Sequence, residues 1–470
     1  MRIVLIIVDT LRHDHFSFAG HPFCQTPEID ELASHSNVFT NDYIASFPTL
    51  PNREDTASGR YTFPHHGWGP LPSDVTTLAS VMTKHGYTTQ LIGDTPHLFH
   101  DGRSYNRGFQ AYNWIRGNEC DIYTTRYNKP FPKIMPFKKT RTDSLPFGHP
   151  LVELHHWLNP DIAWEHDYFA ARTAAAASRW IEENYKAENF FLWVDTFECH
   201  EPWSAPPYFV ERVDPGYKGF PVVYPVYGPA DCYTPAELKN MQAQYIGEVM
   251  LATKWMGAIL RKLKDVGIYD DTMVIFTTDH GTYVGDHNRA GKMYVDYVGG
   301  AKKKVELPWP HYEGVTKIPL IVKMPGQTKK RVVSELAQPV DIFPTLLDLA
   351  GIREDDLPLQ GHSWGPLLQG EKVKWPRQYA FSSPAILEEE PNYWTTITGK
   401  GWTLSLGGAA KEKPLLFNLR KDPGQETNVF EDHKDVVREM GRNYLEFLGQ
   451  CGAAPGKIAL FEKKLKRFSG

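Results

Sequence analysis

The sequence opens with MRIVLIIVDT (residues 1–10), in which the unbroken apolar run 3–8 is followed by an acid, Asp9. An apolar run of β-branched residues and leucine is typical of a parallel strand that is buried on both faces. Asp9 then falls at the carboxyl end of that strand, where open α/β sheets place their ligands. The stretch therefore predicts a buried parallel strand with an acid at its ligand-binding end.

Similar apolar runs alternate with helical patterns along the rest of the chain. The runs 190–194 and 273–277 are predicted strands, and the acids Asp195 and Asp279 follow them. Helical patterns occupy 76–85, 168–185, 235–266 and 341–349. This alternation predicts an α/β fold with a large, mostly parallel central sheet sandwiched by helices. Acids at several strand ends of one sheet edge indicate a cationic ligand.

The pattern changes after about residue 372, where short strand patterns and a helix near 434–447 follow one another. We therefore predict an α/β catalytic domain at 1–372 and a small C-terminal α+β subdomain at 373–470. The basic, amphipathic tail of that subdomain indicates a solvated terminal helix or a contact within a homo-oligomer. The loop-like segments 98–165, 201–235 and 293–311 are expected to define the substrate.

Composition excludes several classes of protein. A net charge of -5 over 470 residues argues against binding to a nucleic-acid polymer, which needs a basic surface. No apolar stretch approaches the roughly 20 residues of a membrane span, so no membrane partner is expected. The cysteines are scattered and odd in number, which favours free thiols and a cytoplasmic location; they are Cys24, Cys120, Cys199, Cys232 and Cys451.

Several blocks of sequence resemble a known family. TLPNREDTASGR (49–60) matches the sulfatase signature, with Thr49 where that signature has Cys or Ser. GYTTQLIGD (86–94) resembles the second family stretch, with Asp94 in place of a lysine. TTDHG (277–281), GDHNRAGK (285–292) and YEGVTKIPLIVKMPG (312–326) resemble later blocks, in the same order. The chain is thus similar to the sulfatase branch of the alkaline phosphatase superfamily.

The resemblance implies a divalent metal ion held by Asp9, Thr49, Asp279 and His280. Thr10 stands where many relatives have a second aspartate, and His280 stands where others have asparagine. A nitrogen donor shifts the preference of a site away from Ca²⁺, so Mn²⁺ is favoured and Zn²⁺, Mg²⁺ and Ca²⁺ remain alternatives.

The resemblance also implies roles for other side chains. Thr49 would be the covalent nucleophile, and Arg53 would orient it. Lys292 would stabilise or protonate the leaving oxygen, and His200 would act as general acid. Three further residues are predicted to bind substrate, namely His66, Asp94 and His97.

Threonine at position 49 bears on the reaction. Sulfatases convert their signature Cys or Ser to formylglycine, and threonine cannot follow that route in the usual way. The first hypothesis is therefore a metal-dependent hydrolase of a small anionic ester, a phosphodiester, phosphonate monoester or phosphate ester. A sulfatase acting on an aryl or sugar sulfate is the second hypothesis. A non-catalytic relative that binds a metal or an anion is the third.

Overall fold

The computed structural model describes residues 1–100, 102–126, 129–130, 151–298, 303–307, 309–389, 392–408 and 412–469. Parts of the predicted substrate loops, among them 131–150 and 299–302, lie outside the described residues. The described residues include all five cysteines, and no disulfide bond joins any of them. Among the described residues, no helix has both the length and the apolar character that crossing a membrane requires.

The strands of the described residues are numbered in chain order. They are β1 (Arg2–Val8), β2 (Asn37–Tyr43), β3 (Thr88–Gly93), β4 (Ala111–Trp114), β5 (Phe190–Thr196), β6 (Gly228–Pro229), β7 (Thr272–Thr277), β8 (Tyr283–Val284), β9 (Arg289–Gly291), β10 (Tyr294–Val298), β11 (Lys303–Leu307), β12 (Lys317–Lys323), β13 (Arg331–Val333), β14 (Ala380–Ser382), β15 (Asn392–Gly399), β16 (Trp402–Gly408) and β17 (Leu415–Asn418).

The α-helices are numbered in the same way. They are α1 (Pro27–Ser34), α2 (Thr49–Ser58), α3 (Leu78–Lys84), α4 (Pro96–Phe99), α5 (Leu151–Leu158), α6 (Phe169–Asn184), α7 (Pro207–Val210), α8 (Pro235–Asp265), α9 (Glu313–Thr316), α10 (Ile342–Ala350), α11 (Gly365–Gln369), α12 (Lys434–Gln450) and α13 (Pro455–Ser469). The four helical patterns named above correspond to α3, α6, α8 and α10.

The large sheet has eight strands in the order β13-β2-β12-β7-β1-β5-β3-β4. β1 lies at its centre and pairs in parallel with β5 on one side and β7 on the other. β12 pairs with β7 in the antiparallel sense, so the sheet is mostly rather than wholly parallel. The predicted α/β fold and the prediction that the first strand is parallel and buried are confirmed.

Contacts within the chain group it into two compact units. The first unit comprises Met1–Val38, Ala79–Leu307 and Pro319–Val332, and the second comprises Phe39–Leu78, Pro308–Ile318 and Val333–Gly470. This grouping follows contacts rather than position along the chain, and the predicted boundary at residue 372 stays a prediction.

The first unit has its core on the parallel strands. Every residue from Ile3 to Val8 is at most 1% exposed. α6 packs there through one apolar face. Ala170, Ala174, Ala177 and Ile181 recur at helical spacing and are all buried in the same apolar core. α8 begins with a capping box between Thr234 and Glu237, which satisfies backbone donors at the start of a 31-residue helix.

The second unit contains a smaller antiparallel sheet with the order β14-β15-β16-β17. Its apolar core joins Ile397 and Leu404 of that sheet to Tyr444 of α12 and Phe461 of α13. A small C-terminal antiparallel sheet with helices is therefore present, as the sequence predicts.

Candidate active site

Two acids of the first unit meet at one edge of the large sheet. β1 and β7 are parallel neighbours, so the segments that leave them start at the same edge. Asp9 directly follows β1, and Asp279 comes shortly after β7. With His280 they form a fully buried cluster in which one potential ligand atom from each residue lies within 4.8 Å of the others. The structure therefore brings together three of the four predicted metal ligands.

Thr10 orients the two carboxylates. Its hydroxyl donates to Oδ1 of Asp9 over 2.6 Å, and its backbone N–H donates to Oδ1 of Asp279 over 2.9 Å. Thr10 has a φ of 60°, an unfavourable value for a β-branched residue. The hydroxyl of Tyr245 donates to the Thr10 carbonyl over 2.8 Å and helps to hold this conformation. Thr10 thus positions carboxylates at a place where many relatives carry a further acid.

His280 is oriented as a metal-binding imidazole would be. Its Nδ1 lies 3.0 Å from the carbonyl oxygen of Gly281, to which a neutral ring donates from Nδ1. The lone pair then remains on Nε2, which lies 3.3 Å from Oδ2 of Asp279. Burial lowers the pKa of His280 well below its usual value, which favours the uncharged ring that metals bind.

The donor set fits a divalent cation. Two buried carboxylates and a neutral imidazole combine hard oxygen ligands with one nitrogen, a mixture that suits Mn²⁺ and related ions. Two carboxylates buried side by side are costly unless positive charge balances them. Asp9, Asp279 and His280 are therefore the residues of the first unit that would hold such an ion.

Asp195 does not join this cluster, so the expectation that it converges with the other strand-end acids is wrong. It still lies inside β5, and its carboxylate turns toward neighbouring side chains. Oδ1 accepts a hydrogen bond from the Thr95 hydroxyl over 2.6 Å, and Oδ2 accepts one from the Trp193 indole over 3.1 Å.

Lys292 and His200 lie close to the cluster. Nζ of Lys292 is 3.3 Å from Nε2 of His280, and both side chains are buried. The pKa of His200 is lowered to about 4, chiefly by burial; the charge of Glu201 opposes this shift and that of Lys292 adds to it. Nδ1 of His200 lies 2.7 Å from the Glu201 carbonyl oxygen, so the neutral ring keeps its lone pair on Nε2. A nitrogen with a free lone pair suits a proton acceptor, and the predicted role of His200 as general acid stays a prediction.

The predicted nucleophile opens a buried helix of the second unit. Thr49 is the first residue of α2, and all ten residues of that helix are buried. Arg53 follows one turn later and is 0% exposed, so the two side chains project from the same face of the helix. The first turn of a helix presents backbone N–H groups and a positive partial charge, which favours an anion beside Thr49.

Asp55 and Gly59 fix the position of α2. The carboxylate of Asp55 accepts hydrogen bonds from the backbone and hydroxyl of Ser46 and from the backbone of Thr62. Gly59 ends the helix with a φ of 66°. A Cβ at this position would lie 2.7 Å from Cδ2 of Leu359, so the signature glycine is required by both conformation and space.

The three predicted substrate-binding residues all contact protein groups. Asp94 is fully buried and accepts hydrogen bonds from the hydroxyls of Thr173 and Thr196, and burial raises its pKa to about 6. Nε2 of His66 lies 3.1 Å from a carboxylate oxygen of Glu54. Nε2 of His97 lies 3.1 Å from Oε2 of Glu119. Binding of substrate by these residues stays a prediction.

Arg12 is a site residue that sequence reasoning missed. Its guanidinium forms ion pairs with Asp14 and Asp286 over 2.7 and 2.6 Å and donates to the carbonyl of Thr282 over 3.0 Å. These bonds fasten the segment after β1 to the segment after Asp279. The available signal was Asp286 within the GDHNRAGK block, but no spacing rule pairs that acid with Arg12.

Comparison with known proteins identifies the family. A model described as Sulfatase matches residues 2–352. The chain belongs to the sulfatase family. A second model, described as N-sulphoglucosamine sulphohydrolase, C-terminal, matches residues 310–448. This sulfatase-family chain is an ester hydrolase, and enzymes of the family use a divalent metal ion.

Curated relatives align over most of their length. An arylsulfatase of Clostridium perfringens is 25% identical, with 93% of this chain and 92% of the relative covered. Arylsulfatase A of Homo sapiens is 26% identical, with 91% and 83% covered. This sulfatase-family chain therefore matches these relatives over most of its length and most of theirs.

Solved structures share the fold at lower identity. A phosphonate monoester hydrolase of Agrobacterium radiobacter superposes with a TM-score of 0.72 at 21% identity, with 96% of each chain covered. A protein solved with its substrate D-glucosamine-2-N,6-O-disulfate also has a TM-score of 0.72, at 16% identity, with 97% and 99% covered. These likenesses establish the architecture of this sulfatase-family chain.

Proposed function

We propose that this chain hydrolyses phosphodiesters or phosphonate monoesters, with Thr49 as the covalent nucleophile. The ion would be Mn²⁺, held by Asp9, Asp279 and His280 together with Thr49. The observation that carries the proposal is a threonine at the first position of a buried helix, with Arg53 one turn away. The hydrolysis of a monoester of phosphate would be a slower reaction of the same site.

The identity of the nucleophile favours phosphorus over sulfur. In the sulfatases that this chain resembles, the intermediate collapses by elimination from a formylglycine hydrate. A sulfated threonine cannot undergo this elimination. Its removal would need direct attack of water at sulfur, which is difficult. A phosphorylated threonine can be cleared by in-line attack of water on phosphorus, which is common metal-assisted chemistry.

The charge near the site favours a monoanionic ester. Asp94 stands where relatives carry a lysine, which removes one positive charge that a dianionic phosphate monoester would use. A phosphodiester and a phosphonate monoester each carry one negative charge and lose less from this change. Phosphonate monoester hydrolases are among the solved structures with this fold, so the fold accommodates such a reaction.

The chain's own groups suggest how the protons move. A divalent ion would lower the pKa of a bound hydroxyl and neutralise charge on the transferring group. Thr49 Oγ1 bonds to phosphorus as the bond to the leaving oxygen breaks. Lys292 protonates that oxygen and then recovers the proton that Thr49 releases. Water next attacks the phosphothreonine, and Nε2 of His200 accepts one proton and returns it to the Thr49 oxygen.

Thr49 belongs to the second unit, whereas the acid cluster, Lys292 and His200 belong to the first. The proposal requires that these groups serve one active site. An experimental structure with bound Mn²⁺ tests this requirement directly, because the Thr49 hydroxyl would then be expected at bonding distance from the ion. The cytoplasmic location and a homo-oligomeric state also stay predictions.

A sulfatase is the second candidate function. The curated relatives above are named arylsulfatases, and the second family model is that of a sulphohydrolase. An aryl or sugar sulfate is also monoanionic, so the aspartate at position 94 does not discriminate against it. Thr49 is the feature that separates the two candidates. A non-catalytic relative is disfavoured because Asp9, Asp279, His280, Lys292 and Arg53 are all present together.

The test compares four aryl esters with the Mn²⁺-loaded enzyme. These are bis(4-nitrophenyl) phosphate, 4-nitrophenyl phenylphosphonate, 4-nitrophenyl phosphate and 4-nitrophenyl sulfate. We expect the diester and the phosphonate to be hydrolysed fastest, and turnover to be lost in Thr49→Ala but partly kept in Thr49→Ser. Sulfate turnover that dominates by orders of magnitude would overturn the proposal in favour of the sulfatase.

Quenched samples give a second readout. Intact mass followed by fragmentation would locate a phosphorylated residue at Thr49 during turnover. A sulfated residue there would support the second candidate. Full activity of Thr49→Ala would remove Thr49 from either mechanism.

A further inference from the structure

A second group of metal-binding side chains lies in the first unit, apart from the acid cluster. It consists of His97, His100 and Cys120, and one potential ligand atom from each residue lies within 4.8 Å of the others. His97 belongs to α4, His100 follows that helix, and Cys120 comes from a loop after β4. We propose that these three side chains bind a structural Zn²⁺ ion.

The distances suit a site that closes on its ion. Zinc bonds nitrogen at roughly 2.0–2.1 Å and sulfur at about 2.3 Å in a tetrahedral site, so its ligand atoms lie roughly 3.3–3.7 Å apart. The potential ligand atoms of this group lie at most 4.8 Å apart, so the widest possible separation would shorten by about 1 Å when an ion binds. Rotation of the side chains can make a change of this size. His100 also follows α4, a helix of only one turn.

The surroundings of the two histidines support metal binding independently. A metal-bound histidine usually gives its other ring nitrogen to a carboxylate, which fixes the ring. Nε2 of His97 lies 3.1 Å from a carboxylate oxygen of Glu119. Nε2 of His100 lies 3.6 Å from a carboxylate oxygen of Asp121. Each ring therefore already has the kind of carboxylate partner that accompanies a metal-bound histidine.

These carboxylates are themselves held in place. Arg116 donates to both oxygens of Asp121 over 2.7 Å, and the backbone of Gly117 donates to one of them over 2.7 Å. Asp121 is 1% exposed and Glu119 is 4% exposed. Two buried carboxylates thus accompany the histidines, and a dication beside them would improve the balance of charge.

The donor atoms select zinc rather than the ion of the acid cluster. A thiolate with two imidazoles is a soft set that favours Zn²⁺, whereas two carboxylates and one imidazole suit Mn²⁺. Burial and the charge of Glu119 raise the pKa of the Cys120 thiol, so the metal-free thiol stays protonated. Binding of Zn²⁺ would therefore release one proton, as the S–H bond is replaced by a sulfur–zinc bond. This role for His97 replaces its predicted binding of substrate.

The test uses Co²⁺ as a visible substitute for Zn²⁺ in the full chain after chelation. One equivalent of Co²⁺ is expected to give a thiolate-to-cobalt charge-transfer band together with the strong visible bands of a tetrahedral site, and Zn²⁺ is expected to abolish both. Absence of a charge-transfer band in the wild-type chain would overturn the proposal. This measurement needs no variant, so a failure of any variant to fold does not affect it.

Matched variants then locate the site. Cys120→Ser is expected to lose the charge-transfer band, and Cys232→Ser, which alters an exposed cysteine, is expected to keep it. Asp279→Asn should also keep the band, because it alters only the acid cluster. His100→Gln should weaken Co²⁺ binding by at least about tenfold. A band that persists in Cys120→Ser would show that another thiol binds the metal and would overturn the assignment.

A stability readout separates a structural ion from an adventitious one. The readout is made in the Asp279→Asn background, in which the acid cluster is altered. Saturating Zn²⁺ is expected to raise the Tm of Asp279→Asn and to leave that of the double variant Asp279→Asn, Cys120→Ser unchanged, because an ion that binds only the folded state stabilises it. An equal rise in both proteins would contradict a structural role for this group.

Discussion

Nζ of Lys292 lies 3.3 Å from Nε2 of His280, the nitrogen that carries the lone pair of the buried imidazole. One lone pair serves one partner at a time, so Lys292 and a metal ion are alternative partners for His280. In the presence of an ion, the Lys292 ammonium is available to the leaving oxygen of a substrate. The relationship therefore links metal binding to the availability of the proposed proton donor.

Replacing Lys292 by alanine is expected to lower kcat/KM by about 10²–10³-fold for diesters with a basic leaving group, because a buried cation near developing negative charge is lost. The loss should grow as the leaving group becomes more basic, and it should be small for 4-nitrophenolate. A series of aryl diesters measures this dependence. An equal loss for every leaving group would assign Lys292 to binding of the substrate rather than to the leaving oxygen.

Replacing His280 by asparagine, the residue that the family resemblance implies at this position, is expected to change the preferred ion. An amide oxygen in place of a ring nitrogen favours Ca²⁺ and Mg²⁺ over Mn²⁺, and we expect the affinity ratio to shift by at least about tenfold. Metal titrations of the chelated protein measure the ratio. An unchanged preference would mean that His280 does not ligate the ion.

Gly59→Ala is expected to destabilise the protein by about 1–3 kcal/mol more than Gly351→Ala. Both glycines end a helix with a φ of 66°, so the conformational cost is the same in both. A Cβ at position 59 would lie 2.7 Å from Leu359, whereas position 351 has no heavy atom within 4 Å. Urea denaturation of the two variants isolates the packing cost. Equal destabilisation would show that Leu359 moves aside freely.

The buried carboxylates Glu198 and Glu248 should make stability depend on pH. Burial raises the pKa of Glu248 to about 8 and that of Glu198 well above its usual value, where the charge of Glu248 adds to the effect. An acid with a raised pKa in the folded state stabilises the fold at low pH. That contribution is lost as the pH rises from about 4.5 to about 8, by up to about 1.4 kcal/mol per pH unit for each proton.

The variant Glu248→Gln should flatten this decline, because one of the two titrating groups is removed. Glu371→Gln, which alters an exposed acid, is the control and should keep the wild-type slope. Urea denaturation at pH 5, 6, 7 and 8 gives the slopes. A slope in Glu248→Gln equal to that of the wild type would assign the pH dependence to other groups.

Sequence patterns predict the parts of the fold that are uniform in character. The apolar run that became β1 and the alanine-rich helix α6 carry strong signals because each is buried in one continuous core. β2 was missed because its sequence, NVFTNDY, mixes polar and apolar residues without regular alternation. The antiparallel direction of β12 could not be predicted from the sequence either, since a fully buried strand has the same composition in either direction.

In the candidate site, too, some residues could be predicted from the sequence and others could not. Asp9, Asp279 and His280 were expected together, because strand ends and family motifs both indicate them. The pairing of Arg12 with Asp286 was not expected, since it joins segments 274 residues apart and depends on where two loops turn. Asp195 shows the limit of counting acids at strand ends. Its position one residue before the end of β5 turns its carboxylate toward Thr95 instead of the site.

The buried state of α2 limits how the proposed nucleophile at position 49 can change during evolution. Because Thr49 is 1% exposed and its helix has no solvent face, any replacement there must fit the volume of one small side chain. Cysteine, serine and threonine differ by about one methyl group and satisfy this condition. Position 49 can therefore exchange one small nucleophile for another, but it cannot accommodate the bulkier histidine or lysine.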